Sequence, residues 1–163
     1  MKIKKVCVLG AGTLGTRVAL QAALSGYEVS LYDINLKSLK SAKEVMETIV
    51  TKLAKASGLE SESGLMAIEK ITFTKDPKVA VHEADIINES VLEEVSVKTE
   101  VWKLFGEIAP EKTIFTTNTS YLLPSMFAEV SGRPSRFCAL HFHDVFTAKV
   151  VDIMPHPGTD PAL

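Results

Sequence analysis

Three observations predict an α/β fold with a doubly wound, mostly parallel sheet for this chain of 163 residues. Short apolar runs alternate with helical patterns along almost its whole length, which implies parallel strands with helices on both faces. A glycine-rich turn joins the first such run to the first helical pattern. Right-handed crossovers then leave few topologies open for strands of this kind.

Length and composition set the frame. One domain's worth of chain is enough to bury a core. Apolar residues at 46% and charged residues at 23% are ordinary globular usage. A formal charge of −2 makes no electrostatic case for nucleic acid or a membrane surface as partner. No apolar run is long enough to span a bilayer. The run after "MKIKK" is about six residues, too short for the apolar core of a secretory signal. Cys7 and Cys138 lie in apolar, strand-like runs and are expected as buried reduced thiols. The expected compartment is the cytoplasm.

The elements follow in order. "IKKVCVLG" is a buried strand, followed by a helix over about residues 13–24. "YEVSLYD" is a second strand. Residues 36–56 place Leu39, Ala42, Val45, Met46, Ile49 and Leu53 at three- and four-residue spacing, the signature of a long amphipathic helix. "SGLESESGLM" breaks it, and a turn or two of helix leads into "KITFTKD", a third strand. "EADIINESV" is a fourth, followed by a helix over about residues 96–108. "KTIFTTN" is a fifth, with a short helix near "LPSMFAEV" after it, and "SRFCALHFHD" is a sixth. Trp102 and Phe105 are most simply core. The closing "PHPGTDPAL" is turn-forming and is expected as a linker. There is no internal repeat.

"VCVLGAGTLGTRVA" carries Gly10, Gly12 and Gly15 in G-x-G-x-x-G spacing between a predicted strand and a predicted helix. Gly10 permits the tight turn, Gly12 lets backbone approach a pyrophosphate, and Gly15 lets the helix pack closely on the strand. Phosphates would then sit on free N–H groups at the helix N-terminus, where the dipole favours them. A glycine-bearing turn with no ligand is the plainer reading, and context decides against it. Asp33 stands 18 residues past Gly15, at the tip of the second strand. A carboxylate there hydrogen-bonds a ribose diol and repels a 2′-phosphate, so NAD is expected rather than NADP. These features specify a Rossmann-type dinucleotide-binding domain over residues 1–163.

Three later stretches carry a more specific signal: "NESVLEEVSVK", "IFTTNTSYL" and "FCALHFHDVFTAKVVDIM". Ser120 of "NTS" is followed 21 residues later by His141 of "HF". With the glycine loop, they make the chain resemble the N-terminal NAD-binding domain of the 3-hydroxyacyl-CoA dehydrogenase family. The resemblance implies cofactor contacts at Gly10, Gly12, Thr13, Leu14, Gly15 and Asp33. It places Glu93 and Lys98 beside the nicotinamide ribose, and Asn118 on the same loop as Ser120. From the residues alone, Glu93 and Lys98 are equally a solvated helix start, and Asn118 and Ser120 equally turn or capping residues. The resemblance further implies that Ser120 hydrogen-bonds the substrate hydroxyl. His141 would take the 3-hydroxyl proton as hydride leaves C3 for NAD, work that suits an imidazole near neutral pH.

The match is incomplete around His141. The family reads H-F-F-N-P and then a glutamate in a "LVEV"-like strand that orients the histidine. This chain reads His141, Phe142, His143, Asp144, Val145, with Asp152 of "VVDIM" in place of the glutamate and a connection one residue shorter. Asp152 is expected to orient His141. Asp144 replaces an amide that can donate with a carboxylate that only accepts, and beside His141 it would favour the charged imidazolium. That substitution opens a second reading, oxidation of a small 3-hydroxy acid without CoA. A third is a non-catalytic NAD-binding module.

On a strand, His141 and His143 share a face, which is a metal-ligand arrangement. Neither His82 nor His156 is placed as a third ligand by any spacing rule, so no metal is expected. Lys37, Lys40, Lys43, Lys52 and Lys55 on the long helix are expected as a solvated face rather than a CoA-phosphate site. The resemblance also implies a C-terminal helical domain that closes the substrate cleft and forms a homodimer. Residues 1–163 alone are therefore expected to bind NAD with little or no turnover.

Overall fold

The computed structural model describes residues 2–57, 61–148 and 150–163. Seven strands form one sheet: β1 (Lys5–Leu9), β2 (Glu28–Tyr32), β3 (Thr72–Thr74), β4 (Ile86–Glu89), β5 (Ile114–Thr117), β6 (Phe137–Phe142) and β7 (Val151–Pro155). Six helices accompany them: α1 (Thr13–Leu24), α2 (Leu36–Ser57), α3 (Glu62–Glu69), α4 (Pro77–Val81), α5 (Val95–Ile108) and α6 (Ser125–Ala128). The strand order is β3-β2-β1-β4-β5-β6-β7, parallel throughout except for the β6–β7 pair. Order reverses between β1 and β4, and ligands of such sheets bind at that point, beyond the carboxyl ends of the strands.

The period-2 alternation of β1 explains why both faces are covered. Val6 and Val8 join Val18, Leu20, Val29, Leu31, Met46 and Ile68 in a core under α1, α2 and α3. Cys7 and Leu9 point the other way, into a core with Ile87, Trp102, Phe105, Phe115, Phe127 and Phe137. Trp102 stacks on Phe115 with ring centroids 5.1 Å apart and meets Phe137 edge-on at 4.8 Å. Both cysteines are free and buried, and burial pushes the Cys7 thiol up to about 12.

Three details differ from the sequence expectation. The α2 face is rotated slightly, so Val50 is buried while Val45 is exposed. The break after α2 is shorter than "SGLESESGLM", since α3 resumes at Glu62; residues 58–60 lie outside the described residues. Helix α4 lies between the third and fourth predicted strands, where no element is expected from the sequence. Its signal is the Asp76–Pro77 pair: Asp76 Oδ1 accepts from the N–H of Lys78 at 2.9 Å, and Pro77 occupies the first helical position.

The C-terminal segment, expected as a turn-forming linker, is packed against the sheet. "VVDIM" pairs with β6 as an antiparallel edge strand, and the chain then folds back over the start of β6. The Thr159 hydroxyl donates to Phe137 O at 2.7 Å, and the Asp160 N–H donates to Ser135 O at 2.9 Å. No helix among the described residues is long and apolar enough to cross a membrane.

Asp85 ties the opening of β4 to the opening of β1. Its Oδ2 accepts from the N–H groups of Lys4 at 2.8 Å and Lys5 at 3.0 Å, and the Lys112 ammonium donates to Oδ1. The Lys112 hydrogen bond and the two backbone donors hold its carboxyl down at about 2. A depressed folded-state pKa contributes stability that is present above the unfolded value and lost as pH falls through the folded one. Asp85→Asn is therefore expected to lower stability by about 1–2 kcal/mol at neutral pH, after discounting the half-exposed Lys112. Urea unfolding should show the gap between parent and variant closing as pH falls from about 4 towards about 2.

Candidate active site

The turn from β1 into α1 is built so that only glycine fits at two positions, one in the loop and one in the first turn of the helix. Gly10 has φ +99°, a region that L side chains disfavour, and a Cβ there would lie 2.6 Å from Ser90 O. A Cβ on Gly15 would lie 1.9 Å from Gly10 O. Gly12, by contrast, would meet nothing within 4 Å and faces open space. Helix α1 begins there without a side-chain cap or an acidic residue in its first turn. Its first N–H groups, including those of Thr13, Leu14 and Gly15, have no intrahelical acceptor and are offered to an anion.

Asp33 closes this corner. Its Oδ2 accepts from Ala11 N–H at 2.9 Å and its Oδ1 from Asn35 N–H at 2.8 Å, so the carboxylate is fixed at the tip of β2 with lone pairs remaining. A cleft of about 450 Å³ opens beside it, lined by Gly10, Asp33, Ile34, Val97, Val101 and Leu104. A mostly apolar slot beside unpaired α1 amides would hold an adenosine group and its phosphates, so the residues present suit a dinucleotide. Gly15→Ala is expected to cost about 1–3 kcal/mol, because the new methyl overpacks a backbone contact. Denaturant unfolding reads that loss, and NADH titration should weaken in parallel.

At the ends of β4 and β5 a buried ion cluster sets the geometry. Lys98 and Glu89 are both fully buried, not a solvated helix start. Lys98 Nζ donates to Glu89 Oε1 at 2.7 Å and to Asn118 O at 3.2 Å, and it pairs with Glu93 Oε2 at 3.1 Å. Those contacts occupy the three ammonium hydrogens. Lys98 thereby ties Glu93 and the Asn118 loop to the buried Glu89 at the edge of the cleft. Burial pushes the Glu89 carboxyl up, against the pull of Lys98 and the Thr117 hydroxyl. Burial also works to raise Glu93, but hydrogen bonds from the Thr119 hydroxyl and Lys98 outweigh it and hold Glu93 below its usual range. Glu93 Oε1 also accepts from Ser120 N–H at 3.1 Å, which places Ser120.

Asn118 clamps three strand ends together. Its Nδ2 donates to Ser90 Oγ at 3.1 Å, and its Oδ1 accepts from Phe142 N–H at 3.2 Å, next to His141. Ser120 Oγ then stands 3.2 Å from His141 Nε2. The β6–β7 register puts Asp152 directly across from His141, and its Oδ2 lies 3.5 Å from His141 Nδ1. The same oxygen accepts a 2.7 Å hydrogen bond from His143 Nε2. That bond, ahead of a weaker contribution from His141, holds the Asp152 carboxyl below its ordinary range. Asp152 thus faces His141 as expected, but its short hydrogen bond goes to His143. The two imidazoles lie with centroids 4.6 Å apart.

Asp144 does not join this group. Its Oδ1 accepts from the N–H groups of Thr147 at 2.8 Å and Phe146 at 3.0 Å, capping the turn that leaves β6. Its Oδ2 lies 3.8 Å from Arg17 Nη1 on α1. The Thr147 backbone bond first, then the other turn contacts, hold its carboxyl low. A short acceptor two residues past a strand end satisfies turn amides, so Asp144, expected beside His141, is held by its own turn and by Arg17. His156 is also committed elsewhere, with Nε2 2.9 Å from Pro134 O, near the opposite end of β6.

Glu89 and Thr119 were not singled out in the sequence. The available signal for Glu89 was a carboxylate closing the apolar run "ADIIN", nine residues before a lysine on the next helix.

A family model described as "3-hydroxyacyl-CoA dehydrogenase, NAD binding domain" matches residues 5–163. The mitochondrial hydroxyacyl-coenzyme A dehydrogenase of Sus scrofa is 34% identical, over 96% of this chain and 52% of that protein. A probable 3-hydroxybutyryl-CoA dehydrogenase of Bacillus subtilis is 33% identical, over 94% of this chain and 54% of that protein. Among solved structures, a diketoreductase superposes with a TM-score of 0.94 at 37% identity, over 99% of this chain and 58% of that one. The 3-hydroxybutyryl-CoA dehydrogenase of Escherichia coli K12 gives a TM-score of 0.92 at 26% identity, over 99% of this chain and 34% of that one. This chain spans about half the length of the curated relatives it matches. NAD is the cofactor of the domain that matches. With its glycine loop, switch-point cleft and matching sheet, the chain belongs to the 3-hydroxyacyl-CoA dehydrogenase family, as an NAD-binding domain of that family.

Proposed function

We propose that the protein oxidises C3 of a 3-hydroxyacyl-CoA reversibly, using NAD. The observation that carries this is the line of Ser120 Oγ, His141 and Asp152, with 3.2 Å from Oγ to Nε2 and 3.5 Å from Nδ1 to the carboxylate. When bound, NAD supplies the hydride acceptor. His141 Nε2 takes the hydroxyl proton, and Ser120 Oγ holds the hydroxyl oxygen within reach of both. Asp152 favours the imidazolium that forms, by its charge rather than by a short hydrogen bond. Thr13, Leu14 and the three glycines hold the phosphates, and Asp33 holds the adenosine ribose. Glu93 and Asn118 fix the loop that presents Ser120. Lys98 holds Glu93 and Asn118 in turn. A C-terminal helical domain and a homodimer in the full-length protein belong to the same reading, on the family resemblance.

A second reading has its own support. The diketoreductase shares 37% identity with this chain and acts on dicarbonyl compounds, and the segment after His141 departs from the family pattern at His143 and Asp144. Under that reading the substrate is a small 3-oxo compound without CoA. NADH oxidation by the full-length protein, with acetoacetyl-CoA against free acetoacetate and simple diketones, separates the two. The first reading expects kcat/KM to be higher for acetoacetyl-CoA by more than about 100-fold, because a truncated substrate forfeits remote binding energy. Faster reduction of the free 3-oxo compounds would replace it with the second.

A further inference from the structure

We propose that His141 Nδ1, His143 Nε2 and Asp152 Oδ2 form a divalent-cation site of the zinc class, and that a cation bound there silences the proposed proton acceptor. The sequence offered the two histidines and no third ligand; the β6–β7 pairing supplies it. The three ligand atoms all lie within 4.8 Å of one another. Asp152 Oδ2 is 2.7 Å from His143 Nε2 and 3.5 Å from His141 Nδ1. Tetrahedral Zn²⁺ with bonds of about 2.0–2.2 Å holds its ligand atoms roughly 3.3 Å apart. The two separations from Asp152 bracket that value and the two histidines lie within 4.8 Å, so side-chain rotations complete the site.

Three further features favour occupancy. Two imidazoles and one carboxylate suit Zn²⁺ and its neighbours, whereas Mg²⁺ and Ca²⁺ prefer oxygen ligands. His141 and Asp152 sit on adjacent paired strands, His143 follows β6 directly with its N–H donating to Val150 O at 3.3 Å, and the side chains of His143 and Asp152 are about half exposed, at 46% and 51%. That exposure provides an entry path and leaves the fourth position for water. The remaining nitrogen of His141 already has a partner in Ser120 Oγ at 3.2 Å, the outer contact that a metal-bound histidine needs. The family pattern has phenylalanine where this chain has His143, so the second histidine ligand is a departure from that pattern.

The inhibitory consequence rests on the function proposed above. Coordination uses the lone pair on Nδ1, so the neutral ring carries its hydrogen on Nε2. With no lone pair left on Nε2, His141 cannot accept the substrate's hydroxyl proton. Zn²⁺ binding and turnover are then mutually exclusive, and a chelator restores activity.

The test is a Zn²⁺ titration of the full-length protein by calorimetry and by competition with a chromophoric chelator, alongside His143→Phe and His143→Ala. The parent is expected to bind one Zn²⁺ per chain at this site, with excess Mg²⁺ failing to compete. Both variants should weaken Zn²⁺ by more than about tenfold, because losing even a residue that merely orients a ligand costs about 10–100-fold. The Zn²⁺ concentration for half-inhibition should rise by the same factor. Absent binding, or equal affinity in parent and variants, would overturn the site. Zn²⁺ bound here without slowing turnover would overturn the inhibition. Calorimetry reads the site even if the full-length protein shows no dehydrogenase activity, so failure of the functional reading is distinguishable from failure of the site.

Discussion

The His141→Ala variant of the full-length protein is expected to lose about 10²–10⁴-fold in turnover while binding NADH almost as the parent does. The split follows from geometry. His141 stands on β6, its Nε2 facing Ser120 Oγ, while the glycine loop and Asp33 lie at the ends of β1 and β2. Removing the imidazole deletes the proton acceptor and leaves the phosphate and ribose contacts in place. Steady-state kinetics and a fluorescence titration with NADH check the two halves separately. A non-catalytic NAD-binding module would have no turnover to lose, and a fall in NADH affinity matching the fall in rate would show that His141 is structural.

Lys98→Met is expected to cost about 3–5 kcal/mol, a large share of a domain's stability, because it leaves the buried Glu89 carboxylate without its partner. The Thr117 hydroxyl and Val91 N–H still donate to Glu89, but neither carries charge. The pH dependence has a definite sign. Burial already pushes the Glu89 carboxyl up, and loss of the ammonium pushes it further. A carboxyl whose folded-state pKa exceeds its unfolded value loses stability as pH rises through that range. The variant should therefore be least stable relative to the parent at neutral pH and recover part of the deficit in mild acid, where Glu89 takes up a proton. Urea unfolding between those conditions measures it. The double variant Glu89→Gln with Lys98→Met should be more stable than Lys98→Met alone, and an unchanged double variant would refute the buried-charge explanation.

What the sequence made legible was local, and what it hid was tertiary. The turn at Gly10, the close packing at Gly15 and the strand-tip Asp33 are specified by residue type and spacing within one βαβ unit. Ser120 and His141 were legible only through resemblance, yet the parallel β5–β6 pairing does bring them together. The hidden parts depend on register between distant segments. That β7 runs antiparallel to β6 is not encoded in the exposed residues of "VVDIM", and without that pairing the shared claim of His141 and His143 on Asp152 cannot be seen. Lys98 looked like a solvated lysine on a helix start because its three acceptors come from β4, the loop after it, and the loop after β5. The setting of Asp144 is hidden because a turn claims its carboxylate through backbone amides that a strand pattern does not expose.

In the proposed reaction, hydride leaves C3 of the substrate for NAD while His141 takes the proton. Incubating the full-length protein with NAD and 3-hydroxybutyryl-CoA carrying deuterium at C3, then weighing the NADH by mass spectrometry, tests it most directly. Deuterium is expected in the nicotinamide ring, one atom per acetoacetyl-CoA formed, with formation slowed about 10²–10⁴-fold in His141→Ala. NADH without deuterium, or acetoacetyl-CoA formed as fast by the variant, would contradict it.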